Sequence, residues 1–245
     1  MRMTRTASIY VALAAIVSVA GCAAFRLDES VKLAKQSTPF SVNPPNATAS
    51  LLIVGDSTGV GTGAPTPETS LAGQLSRTYT RLNVENLAVN GAKFAQVNMQ
   101  LEAATARHFD VVLIQAGGND VIQLTGENTL RSQVQLALAQ AGALAPLVII
   151  MPAGNLGNAP LFFPPLSWWM TARSQNLHRI VREEATHAGA YYVNLYKPKS
   201  EDPFAQDSQN LHAADGLHPS DKGYAQWLTA LIAQSPLSLA LQPAL

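Results

Sequence analysis

From Leu51 to Leu195 the chain alternates short strand-like runs with stretches of helical spacing. Three of the runs, Leu51–Val54, Val111–Gln115 and Leu147–Met151, are apolar at nearly every position. A strand with one wet face alternates apolar and polar residues; a strand covered on both faces does not. Leu82–Leu87 and Tyr191–Leu195 complete a set of five. Buried strands with helices between them build a parallel sheet. The predicted class is α/β: a three-layer α/β/α sandwich around a central, mostly parallel five-stranded sheet.

The intervening helices are expected over Leu71–Tyr79, Phe94–Arg107, Leu130–Leu144 and Gln175–Ala188, the last stopped by Gly189. Tyr224, Trp227, Leu228, Leu231 and Ile232 mark a final amphipathic helix, closed by Pro236. The chain has 245 residues, 47% of them hydrophobic, enough for one such core and too few for two large ones. Ligands of these sheets bind beyond the carboxyl ends of the strands, so the polar residues there matter most. Asp56 and Ser57 follow the first strand, Asn90 and Gly91 the second, and Gly117-Gly-Asn-Asp120 the third.

The glycine-rich loop after the first strand has two readings. Gly59-Val-Gly-Thr-Gly-Ala64 fits the dinucleotide pattern, with Glu85 downstream as its ribose acceptor. Its first glycine comes late after Val54, however, Pro65 and Pro67 crowd the expected helix start, and the other polar loops go unexplained. The alternative makes Ser57 a nucleophile, which needs a base, a group to orient that base, and donors for the developing oxyanion. Asp215-Gly-Leu-His218, followed by Pro219, supplies an aspartate and a histidine on one turn. Such a turn folds the carboxylate onto one imidazole nitrogen and leaves the other facing a ligand.

Gly55-Asp-Ser57, Gly91, Gly117-Gly-Asn-Asp120 and Asp215-x-x-His218 resemble, in order, the four sequence blocks of the SGNH (GDSL-type) esterase and lipase superfamily. The resemblance implies a flavodoxin-like SGNH hydrolase fold and cleavage of carboxylic esters through an acyl-serine intermediate. It also implies Ser57 as nucleophile, His218 as general base and Asp215 as its orienting carboxylate. The oxyanion hole would be the backbone N–H groups of Ser57 and Gly91 with the side-chain amide of Asn119. Asp120 and Asp56 are expected to brace loops. Transfer of the acyl group to a carbohydrate hydroxyl, or a catalytically inactive lipid-tethered binding protein, are the alternatives. Taken singly, Ser57 also reads as a helix N-cap.

No cofactor is expected. His212, Asp215 and His218 lack a further ligand for a metal, and His108, His178 and His187 have no patterned partners. The apolar segment Pro160–Met170 follows the fourth strand, and Phe163, Trp168 and Trp169 are its candidates for substrate binding, as an acyl wall or a membrane-touching rim; packing onto the core is the alternative. The substrate is read as a small-molecule, glycan or lipid ester.

Formal net charge is zero and no basic block occurs, which argues against a nucleic-acid partner. The N-terminus is distinctive: basic Met1–Arg5, an apolar run from Ala7 to Ala20, and Val19-Ala-Gly-Cys22 carrying the one cysteine of the chain. This run is short for a membrane span and right for a secretory signal. It resembles a bacterial lipobox, implying cleavage before Cys22 and lipidation of that residue; an ordinary signal peptide and an uncleaved anchor are the alternatives. Ala23, where enterobacterial sorting reads aspartate as a retention signal, points to the periplasmic face of an outer membrane. The expected organisation is a signal peptide over 1–21, the lipidated Cys22 and a tether to 49, a hydrolase domain over 50–235 and a tail over 236–245. The tether is expected to hold a short helix near Glu29–Lys35. Oligomeric state is left open.

Overall fold

The computed structural model describes residue 21 and residues 24–241. Five strands, β1 (Ala49–Gly55), β2 (Leu82–Asn86), β3 (Val111–Gln115), β4 (Leu147–Ile150) and β5 (Tyr191–Tyr192), form one sheet in the order β2-β1-β3-β4-β5. Every pairing is parallel, with Leu51 opposite Val111 and Gly55 opposite Gln115. The runs Leu51–Val54 and Val111–Ile114 are wholly inaccessible to solvent, as their unbroken apolar character requires.

A helix over 24–36 (α1) precedes the sheet. After β1 come α2 (Ser57–Val60) and α3 (Leu71–Thr78); α4 (Phe94–Glu102) links β2 to β3. After β3 lie α5 (Gly118–Ile122) and α6 (Glu127–Leu144), and α7 (Leu166–Ala188) joins β4 to β5. The chain closes with α8 (Pro203–Gln206), α9 (Ser208–Leu211), α10 (Asp221–Gln234) and α11 (Leu237–Leu241). Two packed groups result: α3 with α10 and α11, and α4, α6 and α7 in succession. Right-handed crossovers in a sheet of this strand order put these groups on opposite faces. The architecture is the expected α/β sandwich, with all five strands parallel.

Several boundaries differ from the sequence reading. Helix α7 begins at Leu166, not Gln175, because Pro165 stands at its start, where the missing N–H has no intrahelical partner to lose. Strand β5 ends at Tyr192 because the Asn194 side chain takes over the backbone, its Oδ1 accepting from the Tyr196 N–H at 3.0 Å. Helix α4 stops at Glu102 and passes into turns.

The segment read as a tether packs on the sheet domain from Arg26 onward. Its helix spans 24–36, and Val42 forms an antiparallel bridge with Val84 on the outer side of β2. Beyond 235, Leu237 and Leu241 of α11 are buried in the core. Residues 1–20 of the segment read as a signal peptide, Cys22, residue 23 and residues 242–245 lie outside the described residues. Among the described residues no helix is long and apolar enough to cross a membrane.

Candidate active site

The geometry at Ser57 begins with the residue before it. As β1 ends, the Asp56 side chain caps α2, its Oδ1 accepting from the Thr58 N–H at 2.9 Å and the Thr58 hydroxyl at 2.7 Å. Asp56, not Ser57, is therefore the N-cap. Ser57 becomes the first helical residue, with its hydroxyl free to face the cleft and its backbone N–H without a partner among the described residues. Burial of Asp56 pushes its carboxyl up to about 6, against the opposing effect of the two Thr58 hydrogen bonds. Behind this turn, the Gln100 side chain of α4 brackets Gly55, accepting from its N–H at 2.7 Å and donating to its carbonyl at 2.9 Å.

The Asp215–His218 turn lies against the same point. Asp215 Oδ1 accepts the N–H groups of Leu217 and His218 at 3.0 and 3.1 Å, which aims Oδ2 at His218 Nδ1, 2.5 Å away. His218 Nε2 in turn lies 2.8 Å from Ser57 Oγ. The turn is pinned by the Ala213 N–H donating to the His218 carbonyl at 2.8 Å and by Ser220, which caps α10. Asp215 is wholly buried, and burial by itself raises a carboxyl. The hydrogen bond and charge of His218, with the two backbone donors, outweigh that and hold Asp215 below the usual carboxylate range. An ionised Asp215 requires a proton on Nδ1, which leaves Nε2 as the acceptor for the Ser57 hydroxyl.

Facing this pair is a flank of amides. Gly91 has φ of +80°, a conformation that strains any L side chain, and a Cβ there would project into open space. Its N–H is unpaired among the described residues. Asn119, on α5, gives one amide hydrogen to the Ala92 carbonyl at 3.1 Å and retains the other. The next residue, Asp120, accepts from the Phe94 N–H at 3.0 Å; burial raises its carboxyl despite that bond. Asn90 ties loops together, its Oδ1 accepting from the Thr62 hydroxyl at 2.6 Å and its Nδ2 donating to the Ala34 carbonyl at 2.9 Å. Ser57, Gly91, Asn119 and His218 line one cavity of about 270 Å³.

Phe163, Trp168 and Trp169 are not among the residues that line that cavity. Trp168 and Trp169 sit on the first turn of α7, 69% and 48% exposed, because the chain has already entered the helix where a loop overhanging the cleft was predicted. His178 is a structural residue. Its Nδ1 meets the Tyr192 hydroxyl at 2.6 Å and its Nε2 the Ala153 carbonyl at 2.7 Å, and burial pushes its pKa down to about 4. His212 stacks edge-on against Phe204. No group of three or more metal-ligating side chains occurs among the described residues. The role of Gln100 was missed from sequence; the available signal was a long amide among the apolar positions Phe94, Val97 and Leu101 of α4.

A doubly wound parallel sheet carrying a hydrogen-bonded serine, histidine and aspartate beyond its strand ends is the arrangement of a serine hydrolase. Residues 53–226 match the model of the GDSL-like Lipase/Acylhydrolase family, and the chain belongs to that family. It is an SGNH/GDSL-type esterase or lipase. Among solved structures, TesA superposes with a TM-score of 0.61 at 19% identity, covering 76% of this chain and 97% of TesA. A member of the lipolytic protein G-D-S-L family from Veillonella parvula DSM 2008 gives 0.60 at 15% identity, covering 75% of this chain and 96% of its own. Axe2, an acetylxylan esterase from Geobacillus stearothermophilus, gives 0.56 at 18%, covering 77% and 94%. At these identities the likeness is one of fold. No curated protein sequence matches the chain.

Proposed function

We propose that the protein cleaves acyl or acetyl esters through a covalent acyl-serine on Ser57. The observation that carries this reading is the continuous hydrogen-bonded line from Asp215 through His218 to Ser57, with contacts of 2.5 and 2.8 Å. His218 Nε2 takes the Ser57 proton as Oγ attacks the carbonyl, then returns it to the departing alcohol. Asp215 holds the tautomer and stabilises the imidazolium. The negative charge that develops on the carbonyl oxygen is met by the N–H groups of Ser57 and Gly91 and the free amide hydrogen of Asn119. Each such donor contributes about 3 kcal/mol to the barrier reduction. Water, deprotonated by the same imidazole, then releases the acid.

A fluorophosphonate reports on this step directly. The protein should gain one phosphonyl adduct, mapped by mass spectrometry to the peptide holding Ser57, and Ser57→Ala should gain none. Equal labelling of both proteins would remove Ser57 from the nucleophile's role.

The protein is further proposed to be lipid-anchored through Cys22 and held at the periplasmic face of an outer membrane. Support comes from the sequence: a basic start, an apolar run too short to span comfortably, and the lone cysteine at its end. Cells grown with an alkyne-tagged fatty acid should label the protein, and Cys22→Ala should take up no label. Equal labelling of both proteins, or of neither, would reject the anchor.

A further inference from the structure

Helix α1 lies wholly outside the family-matched residues 53–226, yet it forms part of the cavity at Ser57, which Ser30, Val31 and Ala34 line. Its half-buried residues, Arg26, Glu29, Ser30, Leu33 and Ala34, recur every three or four positions and face the domain. The two ends of α1 rest on different flanks of the site. Near the start, the Arg26 guanidinium packs against Gly216, inside the Asp215–His218 turn, and lies over the Phe163 ring at 5.9 Å. Near the end, the Ala34 carbonyl accepts the 2.9 Å bond from Asn90, the neighbour of Gly91. From Arg26 to Ala34 the helix advances about 12 Å. It therefore crosses the cleft from the histidine flank to the amide flank.

The chemistry distinguishes these flanks. The departing alcohol collects its proton from His218 Nε2 and leaves on the histidine side. The acyl group stays on Ser57 with its oxygen among the amides, so its chain extends on the other side. There the apolar surfaces of Val31 and Ala34 from α1 and Ile122 from α5 line the cavity. We infer that α1 is a specificity wall: Val31 and Ala34 bound the space for the acyl chain, and the bulk at these two positions sets the longest chain accepted. This rests on the reading that Ser57 is acylated.

The test compares the full chain, Ala34→Phe and Val31→Ala on p-nitrophenyl acetate, butyrate and octanoate. Ala34→Phe should lose about tenfold or more kcat/KM on octanoate relative to its change on acetate, a discrimination that a few methylenes in an apolar pocket can sustain. Val31→Ala changes a side chain 52% exposed on a helix surface, so it preserves folding and should shift the octanoate-to-acetate ratio upward by about threefold. If Ala34→Phe does not fold, the Val31→Ala profile decides. An unchanged chain-length profile in the folded variants, or equal losses on acetate and octanoate, overturns the wall. Ethyl and octyl fluorophosphonates separate this from failure of the underlying reading. Should neither label Ser57 in the unsubstituted protein, the acyl-serine reading falls and the wall with it; labelling with no change of preference across the variants sinks the wall alone.

Discussion

His218→Ala should lower kcat for p-nitrophenyl acetate by about 10⁵- to 10⁶-fold, the scale seen when one member of such a triad is removed. Among the described residues, His218 Nε2, 2.8 Å away, is the one group hydrogen-bonded to Ser57 Oγ that can accept its proton. The loss is compounded by Asp215, wholly buried, which keeps its two backbone donors but loses the partner that most favours its charge. Some rate above water should survive, because the amide flank and the cavity do not depend on the imidazole. Because serine and histidine act as one unit, the double variant Ser57→Ala/His218→Ala should lose no more than either single change. Steady-state kinetics on the three variants checks both statements. A loss of less than tenfold would separate His218 from the reaction.

Gly55→Ala should fail to fold. A Cβ at this position lies 2.0 Å from the Gln115 carbonyl oxygen and 2.8 Å from its carbon, a backbone collision that no rotamer relieves. The strand has little freedom to move aside. Gln100 holds both polar groups of Gly55, and the Asp56 N–H donates to that same Gln115 oxygen at 2.9 Å. The backbone φ of +155° adds strain for any residue with a Cβ. The combined cost should exceed about 4 kcal/mol, beyond the range of ordinary point substitutions and a large part of a domain's stability. Soluble yield and urea unfolding followed by circular dichroism measure it. A variant with the parent's unfolding midpoint would show that β1 and β3 can move apart at this point. The glycine that opens Gly55-Asp-Ser57 is thus a requirement of sheet packing, separate from the chemistry of the serine that closes it.

The sheet was legible because both of its central strands are buried on two faces, and Leu51–Val54 and Val111–Gln115 advertise that with unbroken apolar runs. The polar residues that meet at the cavity were legible too, since Ser57, Gly91 and Asn119 each follow a strand and the sheet's direction fixes where such residues fall. The packing of α1 was not. Its facing stripe is built from arginine, glutamate, serine and alanine with a single leucine, so hydrophobic periodicity gives no warning that the helix covers anything. Nor was the start of α7 legible: Trp168 and Trp169, read as part of a loop, stand on its first turn with Trp168 largely in solvent and Trp169 half-exposed. Gln100 illustrates a different gap. Its value lies in a bond to Gly55 that spans two elements, and no local pattern encodes the meeting of β1 with α4.

Ser57 and His218 meet from positions 161 residues apart, and every strand of the sheet lies ahead of the turn that carries the histidine. Synthesis therefore delivers the proposed nucleophile long before its proposed base. A translation product cut short before His212 retains all five strands and the amides around Gly91 yet lacks the means to attack an ester. Premature termination ahead of His218 would leave a silent polypeptide, not a leaky hydrolase.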